Sequence, residues 1–512
     1  MSPLDVDGVC ERMSAETLRR FRVVWGIMFD PPTPVELACV RRREQTTRRT
    51  TFTAAHAQEL VSAGVATRVD RIGALDTVPF TVYEERASGA RQRPIFWTRG
   101  GNELAALRGY VAQVPLPHVS ALFPGVLTEA ATTRDLKASF FQVEIPLASR
   151  PFFTFADDTG AAYALERMPM GHACAPEIMH FLTAALGGVH GVVAPQFEPQ
   201  DVHVEAWIDN LRFTGSKTAV AAAAERVDAE LQRVRGTWND ADATTAATQY
   251  GFIGVEWCHG TGRVRVSRKL WKKLSDVDLA QPMRADDYES FVCRLLYAAS
   301  IAGVAPGAYW WAIKHARRVM NALNRGVLQV GDAVQLSPAV RRIFARWRVA
   351  VQGWRRITPA WSAVSRSCTL FVDASKKGWG GVFVSADGEL AITGALWKAD
   401  EAALHINILE AITFARAIPA LVTAPLDALD VYVDNTTVIG VSRKGISEVS
   451  EALTAAVLQA LHGLSQLDAP WRLSYVATDK NPADLPSRKA VSSWSARDRT
   501  MVRQQVTEFF GG

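Results

Sequence analysis

The sequence predicts a mixed α/β (α+β) chain of several domains, on three observations. Apolar and polar residues alternate around turn residues at 205–215 ("EAWIDNLRFTG") and again at 250–269 ("YGFIGVEWCHGTGRVRVSRK"), the pattern of β-hairpins. Residues 270–356 read as mostly helical, with Arg and Trp interleaved. Residues 367–490 return to a mixture of strand and helix patterns. A chain of 512 residues that is 48% hydrophobic can fill several cores, so three or four domains or subdomains are expected.

Taken in order, residues 1–45 hold one predicted helix, 14–22, stopped by "DPPTP". "TFTAAHAQELVSAG" reads as a helix capped by Thr53 and ended by Gly64. Residues 65–130 are rich in Gly and Pro and read as short strands and loops. From 135 onward strand and helix patterns mix. "GVLQVGDAVQLSP" should interrupt the later helices as a loop. No internal repeat or low-complexity tract is present, so an ordered chain is expected throughout.

Several classes are excluded by what is missing. No apolar run approaches the roughly 18 residues of a membrane span. The first residues, "MSPLDVDGVCERMSAETLRRF", carry early acids and no cleavable apolar core, so neither signal peptide, anchor nor transit peptide is expected. Cysteines at 10, 39, 174, 258, 293 and 368 form no CxxC pair, which argues against a zinc site or disulfide framework and for a reducing, intracellular setting. Net charge is only +5, but it is unevenly spread. Residues 266–362 carry 16 Lys and Arg against 6 Asp and Glu, whereas residues 363–490 carry 11 against 14. A basic middle beside an acidic C-terminal unit suggests a polyanion grip next to a carboxylate site.

Two groups of acids stand out. "RDLKASFFQVEI" (134–145) places Asp135 at a strand end with Phe140 five residues on, and "ERMPMGHACAPEIMHFLTAAL" (166–186) is a Gly/Pro-punctuated turn running into a helix. The hairpin at 205–215 follows, with Asp209 and Asn210 expected at its tip. A strand-end Asp and a hairpin-tip Asp could share two divalent ions. Two Mg²⁺ about 4 Å apart activate a primer hydroxyl and stabilise the departing pyrophosphate. Any one such Asp is more often a turn or cap residue; the order and spacing of the three segments favour a site. In the second group, Asp373 faces a turn in "CTLFVDASKKGWGGVFV" (368–384), Glu410 lies on a helix in "HINILEAITFARAI" (405–418), Asp434 ends a strand in "DVYVDNTTVIGV" (430–441), and Asp484 opens a helix in "YVATDKNPADLPSRKA" (475–490). Four carboxylates from two strands and two helices suit a second two-metal site, where water would attack a phosphodiester.

These segments carry a resemblance over about 50–490. The first three look like motifs A, B and C of retroelement reverse transcriptases, and "VPFTVYEERASGARQRPIFWTRGGN" (78–102) is similar to that family's fingers segment. The resemblance implies a right-hand polymerase of fingers, palm and thumb, with Arg93 and Arg86 on the incoming triphosphate, for which bidentate guanidinium contacts are suited. It puts Phe140 at the steric gate that favours dNTPs, and Met170 beside the nucleotide where Gln is frequent. The hairpin at 250–266 resembles the primer grip, with "SRKLWKKL" opening the thumb. Motif C usually reads aromatic-x-Asp-Asp; here it reads Trp207-Ile208-Asp209-Asn210. Asp209 then stands at the main metal ligand, and Asn210 at the second, less central carboxylate. The lost charge should weaken metal binding and favour Mn²⁺.

The second group resembles ribonuclease H. "HINILE", "DNTT" and "NPADLPSR" look most like its version in DIRS-type retroelements, which integrate with a tyrosine recombinase. Many of these nucleases carry a mobile His before the last Asp; "ATDKNPAD" has none, and whether Thr478 or Asp479 compensates stays open. The implied division is an N-terminal extension (1–45), fingers and palm (46–265), a basic helical thumb and connection (266–362), a ribonuclease H-like α/β domain (363–490) and a C-terminal tail (491–512). The expected activity is that of an RNA-directed DNA polymerase with ribonuclease H, a retrotransposon nucleotidyltransferase and endonuclease. Asp135, Asp209, Asp373, Glu410, Asp434 and Asp484 would hold Mg²⁺, two ions per site, with Mn²⁺ as the alternative. Partners would be RNA template, DNA primer, RNA–DNA hybrid and dNTPs, with no membrane. "KHARRVMNALNRG" and "RRIFARWRVAVQGWRR" would track the hybrid's backbone, although Arg and Trp at helical spacing also pack in ordinary cores. The N-terminal extension would pack on the fingers or bind a partner, a second copy included. Residence would be nuclear or cytoplasmic. The competing reading is a non-catalytic or nuclease-only nucleic-acid-binding protein derived from a retroelement. Asp157-Asp158 reads as a turn, His172 and His180 flank the second segment without a metal-ligand partner, and His405 is expected to support Glu410 or pack rather than ligate.

Overall fold

The computed structural model describes residues 2–40, 52–75, 77–86, 89–114, 116–358, 367–447, 449–467 and 469–511. The expected boundary at 45/46, the one at 362/363 and the side chain of Arg86 lie outside the described residues. The chain mixes helix and sheet and divides into two compact units, 1–118 with 128–253, and 119–127 with 254–512. No described helix is long and apolar enough to cross a membrane.

The first unit centres on a four-stranded sheet in the order Val202–Trp207, Asn210–Gly215, Ala130–Asp135, Thr244–Ala247. Helices Ala175–Gly187 and Lys217–Arg233 cover it, burying Ala184, Val220, Ala223 and Val227 against Val204, Leu211 and Phe213. A separate hairpin pairs Val78–Arg86 with Gly89–Trp97. Thr53 caps helix Ala54–Ser62 through its side-chain oxygen, and Gly64 follows in the left-handed region, as the sequence predicts. The predicted helix at 14–22 runs further, Ala15–Phe29, because Val24, Met28 and Phe29 continue its buried stripe. Residues 2–40 are therefore built into this unit: Leu4, Val9, Phe21 and Phe29 share a core with Ile178, Met179 and Leu182. Arg20 pairs at 2.8 Å with Glu177, whose side chain is completely buried and also accepts from the Tyr110 hydroxyl.

The longer segment of the second unit opens with the predicted hairpin, Val255–Cys258 against Arg263–Val266, turned by Gly262 at φ 60°. Helices Arg268–Ser275, Ala285–Ala302, Trp310–Asn324 and Pro338–Ala350 follow, interrupted after Asn324 as expected. A five-stranded sheet then runs Leu390–Leu396, Gly378–Val384, Cys368–Ala374, Leu429–Val433, Trp471–Tyr475, with the last two strands parallel to the third. Both faces are covered, which is why Cys368–Ala374 is buried throughout. Helices Ile406–Leu421 and Glu451–Ser465 pack one face. On the other, Val502 and Val506 of helix Ala496–Gly511 pack with Phe371 and Val382. Most of the expected C-terminal tail is thus a helix of this unit's core.

Candidate active sites

In the first unit, strand pairing sets the site. Asp135 ends its strand opposite Asn210, and the Leu136 N–H donates to the Asp209 carbonyl at 3.1 Å. Trp207 pairs with Asn210, so the two-residue tip is Ile208-Asp209 and not the expected Asp209-Asn210. The correction has a steric consequence. Ile208, not Asn210, takes the positive φ of 57°, a conformation that costs a β-branched residue about 1–3 kcal/mol.

Asn210 begins the return strand and turns its amide on its neighbour: Nδ2 donates to Asp209 Oδ1 at 2.9 Å. The Ser139 hydroxyl donates to Asp209 Oδ2 at 2.8 Å. Asp135 Oδ2 accepts from Asn239 Nδ2 at 3.1 Å. A cavity of about 310 Å³ opens here, lined by Arg93, Asp135, Phe140, Met170 and Asp209 together with Lys137, Ser139 and Asn239. Asn210 does not line it. Met170 is held at the cavity by its carbonyl, which accepts from Phe96 N–H at 3.0 Å. Gly171 permits this approach: a Cβ there would lie 2.5 Å from the Phe96 carbonyl oxygen. The donor set is hard oxygen, which suits a divalent cation, and each Asp209 oxygen that accepts one hydrogen bond keeps a second lone pair.

In the second unit, Asp373, Glu410 and Asp434 each offer an oxygen within 4.8 Å of the others. The "GWGG" run explains how the helix bearing Asp484 reaches this place. Gly380 pairs with Asp373, and a Cβ on Gly380 would lie 2.6 Å from Ser487 N. One on Gly394 would lie 2.7 Å from the Pro486 carbonyl oxygen. Bare backbone lets helix Asp484–Arg488 lie directly on the strands. Asp484 pairs at 2.7 Å with Arg488 of its own helix; it lies outside the three-carboxylate group, and its charge adds to the rise at Asp373.

Glu410 is 4% exposed, and burial, then the charges of Asp373 and Asp434, push its carboxyl up to about 9. Asp373 is raised to about 7, chiefly by burial, with Asp434 and Asp484 adding to the rise. Glu410 Oε2 and Asp373 Oδ2 are buried without a hydrogen-bond partner. Carboxylates forced together with orphaned oxygens are the arrangement a divalent cation relieves. A frame of neutral donors surrounds them. Thr478 Oγ1 donates to Asp434 Oδ2 at 2.8 Å, Asn435 Nδ2 to Asn407 Oδ1 at 3.0 Å, and Asn481 Nδ2 to the Val372 carbonyl at 3.0 Å.

The expected turn at Asp157-Asp158 is present. Asp157 closes a turn, accepting from Thr159 and Ala161. His172 and His180 are buried, and burial lowers them to about 3 and about 4. His405 caps the helix that carries Glu410. Sequence reading missed Ser139, Gln142 and Asn239, whose partners are distant in sequence.

No protein-family model matches the chain, and no curated protein does. Solved structures similar to it include a foamy viral protease-reverse transcriptase (dRH) in complex with double-stranded DNA, at 12% identity and TM-score 0.48, covering 91% of this chain and 80% of that one. A second structure of the foamy viral protease-reverse transcriptase with double-stranded DNA gives 13% identity and TM-score 0.45, covering 91% and 96%. One in complex with an RNA/DNA hybrid gives 12% and 0.46, covering 91% and 62%.

Proposed function

We propose that the chain is an RNA-directed DNA polymerase joined to a ribonuclease H, of the DIRS-type retroelement group. One observation carries the reading: Arg93, Asp135, Phe140, Met170 and Asp209, from four separate sequence segments, line one cavity. The unpartnered oxygens of Asp373 and Glu410 beside Asp434 support the nuclease half.

Asp135 and Asp209 would hold Mg²⁺ or Mn²⁺ at the first site, and Asp373, Glu410, Asp434 and Asp484 at the second. The bound ions would supply Lewis-acid activation of a primer 3′-hydroxyl at one and of water at the other. The chain's own residues do the rest. Ser139 and Asn210 fix both oxygens of Asp209, so that it meets a cation without reorganisation. Arg93, with Arg86, binds the triphosphate of a dNTP. Phe140 lies against the sugar and excludes a 2′-hydroxyl, and Met170 offers an apolar contact to the nucleotide. Thr478 orients Asp434 where a mobile His is absent. Fingers and palm would span 46–265, thumb and connection 266–362, and the nuclease 363–490, with the basic helices on the hybrid's backbone.

A nuclease-only protein is the second reading, favoured by Asn210, which leaves the first site two carboxylates. Primer extension on an RNA template in Mg²⁺ and in Mn²⁺, beside hybrid cleavage, decides between them. Asp209→Ala should abolish extension and spare cleavage; Asp434→Ala should do the reverse. No extension in either metal, from protein that still binds the hybrid, would overturn the polymerase half.

A further inference from the structure

We propose that Asn239 is a positioning residue for Asp135, held in place by Gln142 and the N-terminal segment; this rests on the polymerase reading above. Asn239 grips Asp135 twice. Its backbone N–H donates to the Asp135 carbonyl at 2.7 Å and its Nδ2 to Oδ2 at 3.1 Å. A neutral amide holds a carboxylate without cancelling the charge that draws a cation to it.

Asn239 belongs to the connection between helix Lys217–Arg233 and strand Thr244–Ala247, whose only regular piece is a short turn at Asp240–Asp242. Gln142, 1% exposed, anchors that connection. Its Nε2 donates to the Lys137 carbonyl at 2.7 Å and to the Thr237 carbonyl at 2.9 Å, while Oε1 accepts from Thr237 N–H at 2.9 Å. One buried amide thus ties the segment after Asp135 to the segment that delivers Asn239. Gln142 itself does not line the cavity.

The start of the chain fastens both segments from the other side. Leu4 N–H donates to the Gln142 carbonyl and Asp5 N–H to the Val234 carbonyl, each at 2.8 Å. Arg233 Nη2 adds a bond to the Gly8 carbonyl at 2.8 Å. Residues 4–8 therefore belong to the apparatus that sets Asp135, although they lie far from it in sequence.

The test uses the full chain with Asp434→Asn, which weakens the second cluster. Mn²⁺ binding is read by the paramagnetic resonance of the free ion, and Asp209→Ala marks the first site. Asn239→Ala should raise the Mn²⁺ dissociation constant of that site about tenfold, the scale seen when a ligand's hydrogen-bond partner is lost. Its melting temperature should stay near the parent's. Gln142→Glu, which turns two donors into acceptors facing carbonyls, should reproduce the Mn²⁺ defect without touching the cavity. Mn²⁺ affinity within twofold of the parent in Asn239→Ala, or no Asp209-dependent Mn²⁺ site in the parent, overturns the proposal. A parent that extends no primer while Asn239→Ala still weakens Mn²⁺ binding removes the polymerase reading and keeps the positioning role.

Discussion

Replacing Glu410 by Gln should stabilise the metal-free protein and abolish the proposed hybrid cleavage. Glu410 is buried, one oxygen has no partner, and its carboxyl is raised from 4.5 to about 9. The folded state therefore binds this proton more tightly than the unfolded chain. The stability it contributes is whole below pH 4.5, falls as pH rises, and is gone above about 9. At about 1.4 kcal/mol per pH unit, ionisation removes roughly 4 kcal/mol by pH 7.5. Gln never ionises, so Glu410→Gln escapes most of that loss, roughly 2–4 kcal/mol once the shared repulsion with Asp373 and Asp434 is allowed for. For a unit of this size that corresponds to roughly 5–10 °C in melting temperature. Calorimetry in EDTA at pH 5, 7.5 and 9 should show the advantage growing with pH, from about 1 kcal/mol or less at the lowest. Added Mn²⁺ should narrow or invert the order, because the parent keeps all three carboxylates of this cluster and gains more there from binding the ion. An advantage that is flat with pH, or none at pH 7.5 in EDTA, would refute the argument that burial and like charge strain this cluster.

Three further outcomes follow from the same geometry. Phe140→Val should raise incorporation of rNTPs relative to dNTPs at least tenfold in primer extension, since Phe140 lines the cavity. Asn210→Asp should lower the melting temperature in EDTA, by setting a carboxylate where an amide now donates to Asp209; it should also lower the Mg²⁺ concentration needed for half-maximal extension. Thr478→Ala removes the hydroxyl on Asp434 and should slow hybrid cleavage about tenfold at limiting Mg²⁺ while leaving extension unchanged.

Much of this was legible in the linear sequence because it depends on local periodicity. Alternation around "GTG" marked the hairpin at 255–266, and Thr53 and Gly64 marked a helix's two ends. Asp135 and Asp434 were expected at strand ends and Asp373 beside a turn; Asp135 ends Ala130–Asp135, Asp373 is next to last in Cys368–Ala374, and Asp434 follows Leu429–Val433. Where a local rule was balanced between neighbours it failed. The alternation breaks at Asp209-Asn210, so the tip was expected there. Pairing of Asn210 with both Trp207 and Asp135 placed the strain on Ile208 instead.

The sequence by itself determined which chemistry is available: two sets of hard oxygen donors, in order, on elements that local pattern defines. Tertiary structure alone decided what each carboxylate experiences. Asn210 is a donor to Asp209, Asn239 reaches Asp135 from 104 residues away, and Gln142 bonds to Thr237 across 95 residues. The Glu410 carboxyl is pushed up by a packed interior and then by two other acids. These are properties of the space around a side chain, which packing fills from remote parts of the chain and which no short stretch of sequence can specify.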